Sequence, residues 1–212
     1  MSSDLWSERA ETYRGLADQQ AGDDLELLVS WAEGETALDV ATGGGHTANR
    51  LREAGFSVVT LDPAPGMAAD VLARAEDIPF PDDSFDVVAC RIAPHHFADV
   101  RAAVAEMARV ARHLVLVEDT LYEDDTVEEA ERLRDPTHVR SYSEAEWRGL
   151  LEGAGLAIEE VRVLAKSRPL ESWLDRVGCV GEEAERVKQL VALHLEGDQY
   201  VDRKLLIRAR KR

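Results

Sequence analysis

The sequence predicts an α/β fold: one domain spanning residues 1–212, with a mostly parallel sheet of seven strands, a late antiparallel strand and helices on both faces. An apolar strand at residues 38–41 leads into a run of three glycines and then a helical pattern. A second apolar strand at 56–61 ends at an acidic residue. Two long strand patterns, at 156–166 and 200–210, come late in the chain. A length of 212 residues suffices for one such domain and hardly for two.

Residues 1–35 predict a helical cap ahead of the sheet. Two helical patterns lie within it, at 5–13 and 25–31, and the second is rich in leucine and suited to packing on the sheet. Trp6 and Tyr13 belong to the first pattern. Aromatic residues in such a helix usually serve packing, but the helix can also fold over a bound ligand and exclude water. For Tyr13 both roles are open.

The glycine run lies between a strand and a helix, which is the arrangement of a nucleotide-binding loop. Gly43 and Gly45 let the backbone approach a ligand closely, and the start of the next helix offers unpaired N–H groups. Asp39 places a carboxylate beneath the loop. The spacing Gly43-x-Gly45-x-x-Ala48 also satisfies the dinucleotide-binding pattern, so a nicotinamide-dependent oxidoreductase is an alternative. A turn that binds nothing is disfavoured because three successive glycines raise the entropy lost on folding.

Asp62 follows the second strand directly and is the strongest single-residue candidate for ligand binding. Adjacent parallel strands present their carboxyl ends to one crevice, so this carboxylate can reach the ribose hydroxyls of a nucleotide on the glycine loop. Its alternative role is turn formation before Pro63. A third strand is predicted at 71–75. A fourth ends near Cys90, at a position where cysteine usually serves as a buried apolar residue.

Charge and composition limit the classes of partner. The 42 acidic and 25 basic residues give a net charge of −17, which repels nucleic acid and anionic membranes over most of the surface. No apolar run approaches the roughly 20 residues that a membrane-spanning helix needs. Two cysteines and the absence of a secretory signal pattern predict a cytoplasmic protein without a disulfide framework. Both a monomer and a homodimer are compatible with the sequence.

Three segments together resemble one known family: LDVATGGGH at 38–46, AEDIPFPDDSFDVV at 75–88 and CRIAPHHF at 90–97. The second segment is similar to the one that follows the glycine loop in class I methyltransferases dependent on S-adenosylmethionine (SAM), in the type 11 or UbiE-like group. All three together look most like the YcgJ-like bacterial members. The resemblance covers residues 38–173 and implies a Rossmann-like SAM-methyltransferase fold. It favours SAM over a nicotinamide cofactor.

The candidate cofactor-binding residues lie in the glycine loop, at the ends of neighbouring strands and in the first helix: Tyr13, Asp39, Ala41, Thr42, Gly43, Gly45, Asp62, Ala75, Glu76 and Arg91. By the resemblance, Gly43 and Gly45 pass under the methionine part of SAM and Asp39 approaches its amino group. Asp62 then holds the ribose. Ala75 and Glu76 flank the adenine, and Arg91 starts a loop beside the sulfonium.

Three positions depart from the common family pattern. The family usually has glycine where Ala41 stands, although the YcgJ-like members share the alanine. It often places an aspartate or serine beside the adenine amine, where this chain has Arg74. The usual Arg-Pro-Gly-Gly turn is replaced by Ala-Arg-His at 111–113, after a predicted helix at 100–110.

The second half of the chain completes the sheet and predicts a substrate cover. A fifth strand is expected at 114–117, followed by a polar, acidic insertion at 120–146 in the position where such folds carry their substrate cover. Ser143 and Glu146 form a capping-box pattern at the start of a helix. Two further helices, predicted at 170–177 and 182–195, precede the last strand.

Methyl transfer is an in-line displacement at a sulfonium methyl, so the enzyme aligns a nucleophile and, for many substrates, accepts its proton. The candidate bases are His95, His96 and His138, with Asp135 as an orienting partner. Histidine suits this task because its unperturbed pKa is about 6.5. At least one of the first two is expected to be structural. A purely structural His138, bonded to Asp135, is as well supported as a catalytic one.

The same three histidines, with Asp119, offer an alternative interpretation as a divalent metal site. Their spacing matches no known ligand pattern, so no metal is predicted. Arg134 and Arg140 are candidates for binding a carboxylate or phosphate of the substrate, although on so acidic a chain they can equally neutralise their neighbours.

We therefore predict a SAM-dependent methyltransferase that acts on a small molecule. The segment Ala-Pro-His at 93–95 replaces the loop typical of many enzymes that methylate exocyclic amines of nucleic acids, which agrees with the charge argument. Two alternatives stay open: the nicotinamide oxidoreductase, and a non-catalytic protein that senses or sequesters SAM. The sequence does not determine whether carbon, nitrogen, oxygen or sulfur accepts the methyl group.

Overall fold

The computed structural model describes residues 3–15 and 21–212. Its strands are β1 (Thr36–Val40), β2 (Ser57–Asp62), β3 (Val71–Leu72), β4 (Phe85–Arg91), β5 (Ala111–Thr120), β6 (Leu156–Pro169), β7 (Leu195–Glu196) and β8 (Gln199–Lys211). Its helices are α1 (Ser3–Arg14), α2 (Asp23–Ser30), α3 (His46–Glu53), α4 (Val100–Val110), α5 (Asp125–Arg134), α6 (Glu144–Gly153), α7 (Leu170–Asp175) and α8 (Gly181–Leu190). Short 3₁₀ turns occupy Pro65–Met67, Pro94–His96 and Ala192–His194.

The strands form one sheet in the order β3-β2-β1-β4-β5-β8-β6, with β7 paired to β8. Strands β1 to β5 pair in parallel, and β8 is antiparallel to both β5 and β6. This confirms the predicted mostly parallel sheet with a late antiparallel strand. The described part of the chain has eight strands rather than seven, because the two-residue β7 forms a small hairpin with β8.

Helices pack on both faces of the sheet, as predicted. On one face, α4 buries Val104 and Met107 against β4 and β5. On the other, α2 buries Leu25 and Leu28 against β1 and β5. Apolar residues spaced three to four apart put one face of each helix on the sheet and leave the opposite face to solvent.

Several elements differ in length from the sequence prediction. The third strand ends at Leu72, because it pairs over only two residues at the sheet edge. The last strands are longer than predicted because β6 and β8 pair with each other from Leu156 to Pro169. The capping box at Ser143 and Glu146 is confirmed. Part of the predicted cap, residues 16–20, lies outside the described residues.

Two sequence-level expectations concern the whole chain. Cys90 and Cys179 are both buried and unpaired, so the structure contains no disulfide between them. Across residues 3–15 and 21–212, no helix is both long enough and apolar enough to cross a membrane.

The register of the parallel strands gathers the predicted site residues at one edge of the sheet. Val40 of β1 lies opposite Leu61 of β2 and Cys90 of β4. The residues that follow these positions therefore leave the sheet side by side. Such a carboxyl edge is where ligands bind in open α/β sheets.

Candidate active site

A cavity of about 620 Å³ opens at the carboxyl ends of β1, β2 and β4. Its volume lies within the range of pockets that hold drug-sized ligands. The glycine loop, the end of β2 and the segment after β4 form its floor, and α1 contributes Trp6 and Tyr13. Thr137 and Val139 enter it from the insertion after β5. The cavity therefore combines the predicted cofactor loop with both predicted covers.

The glycine loop has left-handed backbone at three positions. Gly43 and Gly45 have φ values of +51° and +80°, which glycine adopts without strain. Ala41 also has a positive φ, +54°, a backbone conformation that glycine adopts at less cost than alanine. A Cβ added to Gly43 would find its nearest atom, the oxygen of Ala41, at 4.0 Å. The cavity is thus open above Gly43, where the predicted ligand would lie.

Asp39 lies beneath the loop and does not line the cavity. Its Oδ2 accepts hydrogen bonds from Thr42 Oγ1 at 2.5 Å and from the amide of Ala48 at 3.1 Å. Burial raises the pKa of Asp39 to about 6, although these two bonds favour its charged form. The hydrogen bonds of Asp39 therefore hold the glycine loop and the start of α3 in place.

Asp62 lines the cavity at the end of β2. Its Oδ2 accepts a hydrogen bond from the amide of Gly43 at 3.1 Å, and its Oδ1 accepts one from the amide of Ala64 at 2.9 Å. Each carboxylate oxygen has two lone pairs, so both retain capacity for a ligand hydroxyl. Burial raises the pKa of Asp62 above its usual value.

Ala75 and Glu76 line the cavity, as predicted for the adenine end. Oε1 of Glu76 accepts hydrogen bonds from the amides of Ala98 and Asp99, at 3.1 and 3.3 Å. Arg74 is largely exposed and donates to the same oxygen at 2.9 Å. The arginine that departs from the family pattern therefore forms an ion pair with Glu76 at the rim of the cavity.

Arg91 ends β4 at the border of the cavity, where the loop predicted to lie beside the sulfonium begins, but its side chain is engaged elsewhere. The guanidinium is buried on the opposite side of β4, where Nε lies 2.7 Å from Glu118 Oε2 and Nη2 lies 2.6 Å from Asp24 Oδ2. Because successive strand residues point to opposite faces, Arg91 and its neighbour Cys90 face different layers. The residue borders the cavity, but its charge joins α2 to the sheet and is not available beside a sulfonium.

Helix α1 covers the cavity and is held there by several contacts. Nε2 of His46 lies 2.9 Å from the carbonyl oxygen of Tyr13. The amide of Gly66 donates to Ser7 Oγ at 3.0 Å. A Cβ at Gly44 would lie 2.7 Å from the Tyr13 oxygen, so this middle glycine of the run is required for the close approach of α1. The structure therefore supports the cover role of the helix.

The three candidate histidines lie together, with ring centroids 4.0 to 6.5 Å apart. Only His96 lines the cavity. The ring of Trp6 meets it edge-on at 4.8 Å between centroids. Nδ1 of His96 lies 3.1 Å from the carbonyl oxygen of Thr137 and 3.1 Å from its Oγ1. Nε2 makes no hydrogen bond to any residue within 3–15 and 21–212.

His95 and His138 do not reach the cavity, which argues against both as catalytic bases. Nδ1 of His95 lies 2.5 Å from Asp119 Oδ1, in a fully buried pair, and burial lowers the pKa of His95 to about 3. The His138 side chain is 1% exposed, and its Nε2 lies 3.2 Å from Glu128 Oε1. Glu128, rather than the predicted Asp135, is thus the carboxylate partner of His138.

Among the described residues, no group of three or more His, Cys, Asp or Glu could hold a metal ion.

The two predicted anion-binding arginines are also engaged elsewhere. Arg134 pairs with Glu131 at 2.9 Å and lies over the ring of Trp173. Arg140 pairs with Glu146 at 2.6 Å and lies over a tyrosine ring. Neither borders the cavity, so both neutralise their neighbours, which was the alternative interpretation of the sequence.

Several cavity residues were not found from the sequence, among them Thr137 and Ile92. Thr137 gives no signal of its own, since a threonine in a polar insertion is ordinary. Ile92 has a φ of +51°, which is rare for a β-branched residue and is a form of strain found at functional sites. The only sequence signal for it was its place directly after β4.

The cavity fits SAM by its chemistry. The open glycine loop and the ionisable Asp39 suit a charged amino-acid moiety, and the carboxylate of Asp62 suits a ribose. Ala75 and Phe97 offer apolar surface for an adenine ring. Together with the sheet order, these features are those of the SAM-dependent methyltransferases.

Comparison with known proteins agrees. Residues 38–114 match the family model for a methyltransferase domain. The chain is 35% identical over 211 residues to the methyltransferase YcgJ of Bacillus subtilis, covering 88% of this chain and 82% of the relative. The chain therefore belongs to the SAM-dependent methyltransferases, in the type 11 group and similar to YcgJ. Its cofactor is SAM, as the sequence predicted, and the nicotinamide alternative is not supported.

Two solved structures show the same fold over most of the chain. The crystal structure of YcgJ from Bacillus subtilis has a TM-score of 0.76 at 30% identity and covers 89% of this chain and 98% of the other. That of a candidate methyltransferase from Bacillus halodurans has a TM-score of 0.79 at 29% identity, with 90% and 99% covered. The predicted Rossmann-like methyltransferase fold is confirmed.

Proposed function

We propose that the protein transfers the methyl group of SAM to a small, uncharged acceptor held between α1 and the segment after β4, and that His96 accepts the acceptor's proton. The single observation that supports this most is the position of His96. It lines the same cavity as the glycine loop, and its Nε2 has no hydrogen-bond partner among the described residues.

The lining of the cavity supports a small acceptor. Away from the glycine loop and the adenine end, the lining residues include Trp6, Ala93, His96, Thr137 and Val139. Helix α1 lies across this end, so a polymer would have to displace the helix in order to enter. A net charge of −17 further disfavours a nucleic acid.

The electrostatics argue against an anionic acceptor. Arg74 and Arg91 are the cationic residues among the described lining, and both are paired with carboxylates. A phosphate or carboxylate on the acceptor would thus meet no available guanidinium or ammonium group there. It would also lie near the carboxylates of Asp62 and Glu76.

The protonation state of His96 suits proton acceptance. Burial lowers its pKa to about 3, so the imidazole is neutral at pH 7 and has a lone pair to offer. Such a weak base suffices when the acceptor is a neutral O–H or N–H group, because this proton becomes strongly acidic as the methyl–heteroatom bond forms. SAM supplies the electrophilic methyl, and α1 excludes the water that would compete for it.

The test measures S-adenosylhomocysteine released from SAM in the presence of fractionated small-molecule extract. We expect one or more fractions to raise release above the background without extract, and His96→Gln to lower this release by about 10²-fold or more. His113→Gln, at an exposed histidine on β5, is the matched control and should retain turnover. Binding of SAM, measured by calorimetry, should be the same in all three proteins. If no fraction raises release, or if His96→Gln turns over normally, the proposal is wrong.

A further inference from the structure

Thr137 lies between His96 and the carboxylate of Asp135. Its hydroxyl oxygen is 2.7 Å from Asp135 Oδ1 and 3.1 Å from His96 Nδ1. Its own backbone amide also donates to Asp135 Oδ1, at 2.9 Å. Asp135 is 1% exposed and Thr137 is 2% exposed, so water does not compete for these bonds. The three residues form a continuous buried chain that ends at the cavity.

The chemistry of this chain assigns the protons. A carbonyl oxygen only accepts hydrogen bonds, so His96 Nδ1, which contacts the Thr137 carbonyl, must carry the hydrogen. The ionised Asp135 also only accepts, so the Thr137 hydroxyl donates to it and presents a lone pair to Nδ1. Both contacts therefore favour the tautomer in which Nε2 of His96 is unprotonated.

Asp135 is kept ionised by its surroundings. Burial would raise its pKa, but the two hydrogen bonds from Thr137 and nearby positive charge together lower it to about 2, and at neutral pH, where His96 is uncharged, that charge is the guanidinium of Arg9. Arg9 lies on α1, and its Nη1 is 3.1 Å from Asp135 Oδ1 and 3.2 Å from Oδ2. The helix that covers the cavity is thus paired directly with the carboxylate behind His96.

We propose that Asp135 and Thr137 are positioning residues that fix the Nδ1–H tautomer of His96, and that Arg9 completes this arrangement when α1 lies over the cavity. The inference rests on the proposed role of His96 as proton acceptor. It adds that the site is complete only with the cover in place, because the cation that neutralises Asp135 comes from the cover. Proton acceptance by His96 and the exclusion of water from the cavity thus both depend on the position of α1.

A second histidine–carboxylate pair in the same insertion provides a matched control. Nε2 of His138 lies 3.2 Å from Glu128 Oε1, and Glu128 takes its further hydrogen bonds from Ser141 and Arg132 rather than from α1. Glu128→Gln therefore removes a buried carboxylate near the histidines without touching the chain that ends at His96. Any effect specific to Asp135 should be absent from this variant.

The direct test is the ¹⁵N spectrum of the histidine side chains in the full-length protein, with His96 assigned through His96→Gln. Wild-type protein should show Nδ1 protonated and Nε2 unprotonated at His96. Asp135→Asn should move both nitrogen signals towards the mixed tautomers, because an amide can donate to Thr137 and release its hydroxyl from the fixed orientation. Glu128→Gln should shift the signals of His138 and leave those of His96 in place.

Turnover gives a second measurement, in the extract fraction that supports S-adenosylhomocysteine release. Asp135→Asn and Thr137→Val should lower release by about 10- to 100-fold with SAM affinity unchanged, as is typical when a supporting hydrogen bond behind a catalytic group is lost. Arg9→Ala should act in the same direction and Arg9→Lys should recover most of the loss. Arg14→Ala, at the other end of α1 where the arginine binds the Gly66 carbonyl at 2.6 Å, should leave the His96 spectrum unchanged.

The spectrum is informative whether or not an acceptor is found, which separates this inference from the proposed function. A wild-type His96 protonated on Nε2 would overturn it outright. So would an Asp135→Asn protein with an unchanged His96 spectrum, since the carbonyl alone would then fix the tautomer. If Asp135→Asn does not fold, the isosteric Thr137→Val gives the same two outcomes.

Discussion

The carboxylate of Asp62 accepts a hydrogen bond from the amide of Gly43, with 3.1 Å between Oδ2 and the nitrogen. One side chain at the end of β2 thereby fixes the loop after β1 and keeps lone pairs for a ribose. We predict that Asp62→Ala weakens SAM binding by about 10²-fold or more, since it removes charge-assisted hydrogen bonds worth about 1.5–3 kcal/mol each. Calorimetric titration with SAM measures the change.

The control for this variant is Asp70→Ala. Asp70 lies beyond the same strand, is largely exposed and bonds the backbone and side chain of Thr60 rather than the cavity. It should keep the SAM affinity of the wild type. Equal losses in the two variants would mean that the effect comes from the loop as a whole and that Asp62 does not hold the cofactor.

Affinity for SAM should depend on pH through Asp39. Its pKa is raised to about 6 by burial, so the carboxyl is mostly protonated at pH 5 and ionised at pH 7. SAM carries a sulfonium and an ammonium group, which favour the ionised carboxyl. We predict that the dissociation constant rises about tenfold from pH 7 to pH 5, because binding must then release a proton.

Asp39→Asn tests the origin of this dependence, and the amide should flatten the profile between pH 5 and pH 7.

Asp39 should also make the free energy of unfolding depend on pH. Its pKa is 3.8 in the unfolded chain and about 6 in the folded one, so the folded state takes up the proton first. The free energy of unfolding should therefore gain a contribution as the pH falls from about 6 to 4, and Asp39→Asn should lose it. If the free energy of unfolding, or the affinity for SAM, depends on pH as steeply in Asp39→Asn as in the wild type, the proton belongs to another group.

The sequence predicted those parts of the site that depend on strand order and local pattern. The ends of β1 and β2 could be placed because parallel strands deliver their carboxyl ends to one edge, and the glycine loop has a local signature. The burial of His138 could not be predicted, because residues 120–146 fold against the sheet in a way that no periodicity describes. The burial of His138 against Glu128 favours the structural one of the two roles that the sequence left open for it.

Ion pairs between residues far apart in the chain could not be predicted from the sequence either. Arg9 and Asp135 are separated by 126 positions, and neither stands in a motif that points to the other.

For Arg91, the local pattern and the family resemblance gave different predictions. The alternation of strand residues already places it on the face opposite Cys90, but the resemblance to the family placed it beside the cofactor. The local pattern was the better guide to its side chain.

Arg91→Met should destabilise the protein strongly. It leaves the buried carboxyl of Glu118 without its cation, and breaking a buried ion pair on one side costs about 3–5 kcal/mol. Burial already raises the pKa of Glu118 to about 7 against the charge of Arg91, so the variant should hold a proton there. Taking up this proton is harder at high pH, and the loss should be greater at pH 8 than at pH 5.

Urea denaturation at the two pH values measures this loss, with Arg50→Met as the control. Both arginines reach carboxylates of α2, but Arg50 pairs with Glu26 at the exposed surface, where an ion pair adds little to stability. SAM affinity of folded Arg91→Met should equal that of the wild type, because the guanidinium is engaged by Glu118 and Asp24. A selective loss of SAM binding without a loss of stability would restore the role that the family resemblance gave to Arg91.

The closeness of α1 to the Pro65–Met67 turn predicts that Gly66→Ala lifts the cover. A Cβ at Gly66 would lie 2.6 Å from Ser7 Cα and 2.7 Å from its carbonyl oxygen, and this backbone cannot yield as a flexible side chain would. The small cluster of Ala10, Ala64 and Met67 that α1 shares with this turn should separate, while the sheet stays intact. We expect faster hydrogen exchange in residues 3–15, faster tryptic cleavage after Arg14 and a lower turnover.

Gly149→Ala, where a Cβ would meet nothing within 4 Å, is the control for Gly66→Ala and should behave as wild type in all three measurements. Exchange in α1 that matches the wild type would show that the helix tolerates the methyl group and that its contact with the turn does not hold the cover in place.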